Sequence, residues 1–154
     1  MGELYAAHAP DAVRLAYLLT RDRALAEDLT QEAFVRMFGR FRDLRRPEAF
    51  RVYLRTTVVN LSRSHFRRAR VERAFLARAA SEPAAAGPEP QPRSELWEAL
   101  GTLNPRQRAA IVLRYYEDLT EAQTADVLRC PVGTVKSLVS RGMERLRREL
   151  ERGG

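Results

Sequence analysis

The chain has 154 residues, 45% of them hydrophobic, and a formal net charge of +7. That length allows one domain or two small ones, and the apolar fraction excludes global disorder. The lone Cys130 excludes an internal disulfide and a four-thiolate zinc site, while the basic balance favours nucleic acid, an anionic membrane surface or an acidic protein as partner.

No apolar run approaches the roughly 20 residues of a membrane helix. The opening Met-Gly-Glu-Leu-Tyr-Ala-Ala-His lacks a basic region followed by an apolar stretch. A soluble, cytoplasmic chain without membrane insertion is therefore expected.

Apolar residues at helical spacing predict a first helix from Leu4 to Leu19, carried by Leu4, Ala7, Val13, Leu15, Leu18 and Leu19, with Pro10 setting the start of its main part. Asp22 is placed to cap a second helix over Arg23–Phe41, whose stripe is Leu25, Leu29, Ala33, Met37 and Phe41. Pro47 suits the first turn of a third helix. It carries Phe50, Tyr53, Leu54, Val58 and Leu61 into an arginine-rich end near Ala79, with one expected break. Residues 80–93 hold four prolines and one glycine in 14 positions and read as a flexible Pro/Ala-rich linker, stiffened in part by its prolines.

Beyond the linker, Ser94 caps a short helix with Leu96, Trp97 and Leu100. Asn104-Pro105 opens another, holding Ala109, Ile111, Val112, Leu113 and Tyr116. Thr120-Glu-Ala-Gln123 matches a capping box. Cys130-Pro131 makes a turn into a last helix from about Val132, with Val135, Val139, Met143, Leu146 and Leu150 expected inside. No strand period is sustained. The expected fold is all-α: two small helical domains, 1–79 and 94–154, joined by residues 80–93, the second domain a helix-turn-helix.

Charge is concentrated in one segment. Residues 39–78 carry 12 arginines against 3 acids, a net of +9, whereas 1–38 sum to −2 and 94–154 to +1. Of the 27 basic residues only Lys136 is lysine, which points to a GC-rich coding background behind part of the arginine excess.

Three groups of residues are candidates for function. With the apolar stripe of the last helix turned inward, Thr134, Lys136, Ser137, Ser140 and Arg141 remain on its surface, where a recognition helix meets base edges and phosphates. An ordinary surface helix is the alternative. Upstream, Tyr53, Asn60, Arg63, Arg67 and Arg68 mix aromatic, amide and guanidinium groups. That chemistry suits melted or single-stranded DNA, where bases stack on rings and arginines follow the backbone. A solvated helix end, whose cations offset the macrodipole, would look similar. In the acidic helix, Asp28, Gln31 and Glu32 form a polar face without a nearby histidine, better suited to a protein partner than to acid–base chemistry. The sequence offers no clustered metal ligands, no nucleophile–base pair and no Gly-rich phosphate loop, so no enzyme activity, cofactor or metal is expected.

These residues resemble a known family, the extracytoplasmic-function (ECF) group of bacterial sigma-70 RNA polymerase sigma factors. Asp28-Leu-Thr-Gln-Glu-Ala-Phe34 matches the D-x-x-Q-E-x-F motif of region 2. Tyr53-Leu-Arg through Asn60-Leu-Ser-Arg-Ser-His-Phe-Arg-Arg68 resembles the helix that handles the melted −10 element. Asn104-Pro-Arg-Gln-Arg108, Leu113-Arg-Tyr115, Ala125-Asp-Val-Leu128 and Pro131-Val-Gly-Thr-Val-Lys-Ser137 resemble region 4, which reads the −35 element. The resemblance implies core RNA polymerase and promoter DNA as partners, with an anti-sigma factor as a further candidate. It implies that Asp28, Gln31, Glu32 and Phe34 bind polymerase. Tyr53, Asn60, Arg63, Arg67 and Arg68 would then take the −10 strand, and Thr134, Lys136, Ser137, Ser140 and Arg141 the −35 duplex. Tyr53 stands where the family often has tryptophan, Ser64 where it has aspartate, Arg129 where it has glycine and Leu138 where it has arginine.

A response-type regulator with a single DNA surface and an enzyme acting on nucleic acid are the rival readings. The arginine–aromatic segment argues against the first, and the missing catalytic groups argue against the second.

Overall fold

The structure, a computed structural model, describes residues 2–40, 47–78 and 94–153. Phe41, Ala79 and the expected linker lie outside them. The described chain is helical, without a strand. Helices α1 (Gly2–Thr20), α2 (Arg23–Arg40) and α3 (Pro47–Arg78) form the first bundle. The second contains α4 (Glu95–Gly101), α5 (Pro105–Ile111), a π-helical turn at Val112–Tyr116, α6 (Glu121–Leu128) and α7 (Val132–Gly153).

Helix α1 continues through Pro10 rather than beginning there. The missing N–H is tolerable because Ala6 and Pro10 face solvent, where water can satisfy the freed carbonyl. Its buried face is Ala9, Ala12, Leu15, Ala16 and Leu19, while Ala7 is exposed. Asp22 caps α2 as expected, its Oδ1 accepting the Leu25 N–H at 3.1 Å. Helix α3 runs 32 residues without the expected break.

The capping boxes are both made: Asn104 accepts the Gln107 N–H at 2.8 Å and Thr120 the Gln123 N–H at 3.0 Å, each glutamine reaching back to its cap. The helix after Asn104 does not remain regular to Tyr116. The Glu117 N–H bonds to the Val112 carbonyl at 3.0 Å, an i to i+5 bond that widens the turn, and Tyr116 emerges exposed. In α7 the inward positions are Val135, Gly142 and Leu146, with Leu138 and Val139 half-buried. Met143 and Leu150 are exposed. Gly142 explains the rotation. A Cβ there would stand 2.5 Å from Ile111 Cδ1, so α5 packs where only a hydrogen fits.

The two bundles are docked. One apolar core joins Leu15, Leu19, Val58 and Val59 of the first bundle to Ala109, Val112, Leu113 and Leu128 of the second. A smaller core of Ala99, Leu100, Leu103, Ile111 and Leu146 belongs to the second bundle alone.

Candidate nucleic-acid interface

Helices α6 and α7 and the turn between them form the helix-turn-helix. Helix α6 ends because Arg129 adopts a left-handed conformation, φ 55° and ψ 51°, with its N–H bonded to the Ala125 carbonyl. Such a reversal favours glycine. Pro131 then starts α7, its carbonyl accepting the Thr134 and Val135 N–H groups at 3.0 and 3.2 Å. Val135 is fully buried and fixes the helix phase. Lys136, Ser137, Ser140 and Arg141 are exposed and Thr134 is half-buried. This face carries a cation at each end with two short hydroxyl donors between, a set that can meet phosphates and base edges. One turn further on, the Arg148 guanidinium bonds Glu144 at 2.6 Å and holds its carboxyl below the usual range.

The arginine-rich face of α3 sits differently. Tyr53, Arg67 and Arg68 are exposed, and Asn60 is half-buried. Arg63 is turned into the junction between bundles, where Nη1 donates to the Leu128 carbonyl at 2.7 Å. Leu128 ends α6, so this guanidinium satisfies a carbonyl left without an intrahelical donor. Burial lowers the Arg63 pKa, reinforced by the charges of Arg106, Arg67 and Arg129.

On α2, Asp28, Gln31 and Glu32 are exposed, and Glu32 pairs with Arg36 at 2.9 Å. Phe34 is not on this surface. It is 3% exposed and stacked among Tyr5, Phe38 and Phe50 at centroid distances of 4.9, 6.1 and 5.9 Å. A ring so placed fixes the helix from within the first bundle's core.

Sequence reasoning missed the residues that join the bundles. Arg108 of α5 is 5% exposed. Its Nε donates to the Leu19 carbonyl at 3.0 Å, and its Nη1 to those of Leu103 and Leu100 at 3.2 and 3.4 Å. Burial, with the nearby Arg21 charge, lowers its pKa to about 10, still cationic at neutral pH. Arg21 lies 4.3 Å above the Trp97 ring and donates to the Trp97 carbonyl, and Tyr17 packs on the same ring at 4.7 Å. Arg55 faces Glu117 at 3.6 Å, both side chains mostly buried. One signal was available: Arg108 falls on the inward phase of its helix, between Asn104 and Val112, where an apolar residue is the norm.

Among the described residues, no group of three or more His, Cys, Asp and Glu side chains could hold a metal ion. No described helix is long and apolar enough to cross a membrane.

This two-bundle arrangement corresponds to known proteins. The profile of sigma-70 region 2 matches residues 4–72, and that of sigma-70 region 4 matches residues 93–146. An RNA polymerase sigma-E factor of Streptomyces coelicolor is 33% identical over 96% of this chain and 85% of its own length. The chain belongs to the sigma-70 family. Within it, the chain is a sigma factor of the ECF group. The ECF sigma factor SigE of Mycolicibacterium smegmatis is 34% identical over 94% of this chain and 59% of its own length. The fold is also that of a sigma factor RpoE solved with the anti-sigma factor NepR from Bartonella quintana. That structure has a TM-score of 0.74 and 24% identity, covering 97% of this chain and 96% of that one.

Proposed function

We propose that this sigma factor recruits core RNA polymerase through Asp28, Gln31 and Glu32. In this reading it captures the opened −10 strand with Tyr53, Asn60, Arg63, Arg67 and Arg68, and reads the −35 duplex with Thr134, Lys136, Ser137, Ser140 and Arg141. Region 2 occupies residues 1–79 and region 4 residues 94–154, with 80–93 as tether. The chain acts in the cytoplasm and breaks no bond itself; the polymerase supplies the chemistry. An anti-sigma factor is a third partner, in keeping with the complex in which the Bartonella neighbour was solved. The observation that carries the reading is the open face of α7, where Lys136, Ser137, Ser140 and Arg141 stay exposed although region 4 is docked on region 2.

Docking and promoter engagement are different states. The −10 and −35 elements lie about 25 base pairs apart, roughly 85 Å at 3.4 Å per base pair. A folded chain of this size has a radius of gyration of about 15 Å. The bundles must separate to reach both elements, which a 14-residue tether permits by extending to roughly 45 Å. Tethering then raises the effective concentration of the second site once the first is bound.

Promoter-directed transcription with purified core polymerase tests this. The chain should redirect start sites, and Lys136→Ala with Arg141→Ala should abolish the effect at promoters that need the −35 element. Core polymerase whose start sites do not change on adding the chain would sink the proposal.

A further inference from the structure

The junction between the bundles holds a groove of about 690 Å³, formed by the end of α1, the second half of α3 and α5. Its lining includes Arg63, Arg67, Arg70 and Arg73 of α3 and Arg106 and Arg108 of α5, with Arg21 at the end of α1, and no carboxylate. The α3 arginines share one helical face with Ser62 and Phe66. Arg67, Arg70, Arg73 and Arg106 make no ion pair among the described residues. Four guanidinium groups without an ion pair among the described residues therefore line one groove where the two bundles dock. Ser62 lines the same groove; the residue is only 2% exposed, and its Oγ is buried without a hydrogen-bond partner.

We infer that this groove binds an oligophosphate, a small ligand carrying a chain of phosphates. Guanidinium forks match phosphate oxygens in pairs. The volume suits a nucleotide-sized molecule. The ligand's oxygens accept from arginines on both bundles, and its charge relieves the repulsion that docking creates. Because α3 and α5 both contribute, the ligand binds the docked state more tightly than the separated one and shifts the population toward it. If Arg63 and Arg67 serve the −10 strand, the ligand also competes for them; that consequence rests on the proposed function, whereas binding does not.

The experiment is calorimetric titration of the full chain with inorganic tripolyphosphate, ATP and orthophosphate, alongside small-angle scattering. One tripolyphosphate should bind per chain, about a hundredfold tighter than orthophosphate if two more charged hydrogen bonds form. Arg70→Ala with Arg106→Ala, neither assigned to DNA above, should weaken it by about a hundredfold on the same argument. Lys136→Ala with Arg141→Ala should not change it. The radius of gyration should fall or hold on adding ligand. ATP binding as tightly as tripolyphosphate, through the same arginines, assigns the phosphates to a nucleotide; much weaker ATP binding assigns them to free polyphosphate. Several equal, salt-sensitive binding events, or unchanged affinity in the Arg70/Arg106 variant, would overturn the site, because a basic surface alone gives that behaviour. Both results are read without transcription, so they stand apart from the promoter assay.

Discussion

Replacing Arg129 by glycine should stabilise the protein, although it removes a side chain and adds none. Arg129 sits at φ 55° and ψ 51°, where its Cβ crowds the following carbonyl. A left-handed conformation costs an ordinary L-residue about 1–2 kcal/mol. Glycine removes that strain but loses about 0.5–1 kcal/mol more backbone entropy on folding. The guanidinium also stands near enough to Arg63 to lower its pKa, so its removal relieves repulsion. The balance is a gain of about 0.5–1 kcal/mol, a rise in Tm of about 2 °C for a chain of this size. Arg129→Ala separates the contributions, since it keeps the Cβ and loses the charge. Differential scanning calorimetry of the three proteins should rank glycine above alanine. If glycine and alanine were equal, the backbone argument would be refuted and charge alone would account for any gain.

Lys136→Ala with Arg141→Ala should weaken binding to promoter duplex and, for two lost phosphate contacts, lower the salt slope by about 1.8, read from log Kd against log salt. Asp28→Ala with Gln31→Ala should weaken core polymerase about tenfold in a binding titration, with unfolding unchanged because both side chains are exposed. Arg108→Met leaves the carbonyls of Leu19, Leu100 and Leu103 without this donor and should cost about 2 kcal/mol in denaturant unfolding. That cost should be flat between pH 6 and 9. Arg108 is protonated there in the folded state, at a pKa of about 10, and in the unfolded state, at the higher ordinary value of a guanidinium. Only between those two values does the unfolded chain hold more proton, so wild-type stability relative to the variant should rise with pH there.

The helices and their caps were legible because they are local. Asp22, Asn104 and Thr120 each cap a turn within three residues, and a short-range pattern encodes that choice. The turn at Cys130-Pro131 was legible for the same reason, whereas Arg129 just before it was marked only by the glycine that the family carries there. What failed depended on a neighbour far away in sequence. Met143 looks like a core residue until Gly142 is seen to admit Ile111. Phe34 was read with the acidic surface because it ends the same motif, yet the ring faces the first bundle's core. Asp28, Gln31 and Glu32 were placed outward by the helical period, as were Lys136, Ser137, Ser140 and Arg141. Arg63 could not be placed, since its partner is a backbone carbonyl 65 residues on, and no sequence pattern announces an acceptor that every residue carries.

The chemistry of the docked face explains why it can also open. An interface meant to be permanent would extend the apolar core and bury few charges, as obligate interfaces do. Here Leu113 and Val59 are fully buried in the shared core, but arginines surround them. Arg108, Arg63 and Arg21 all donate to backbone carbonyls of the opposite bundle. A neutral carbonyl returns less than a carboxylate would for the desolvation of a guanidinium, and the lowered pKa values of all three arginines register that deficit. Separation thus returns solvation to three cations while exposing an apolar patch, and the two terms oppose each other. A surface that offers carboxylates to those three cations therefore competes with docking through the very contacts that maintain it.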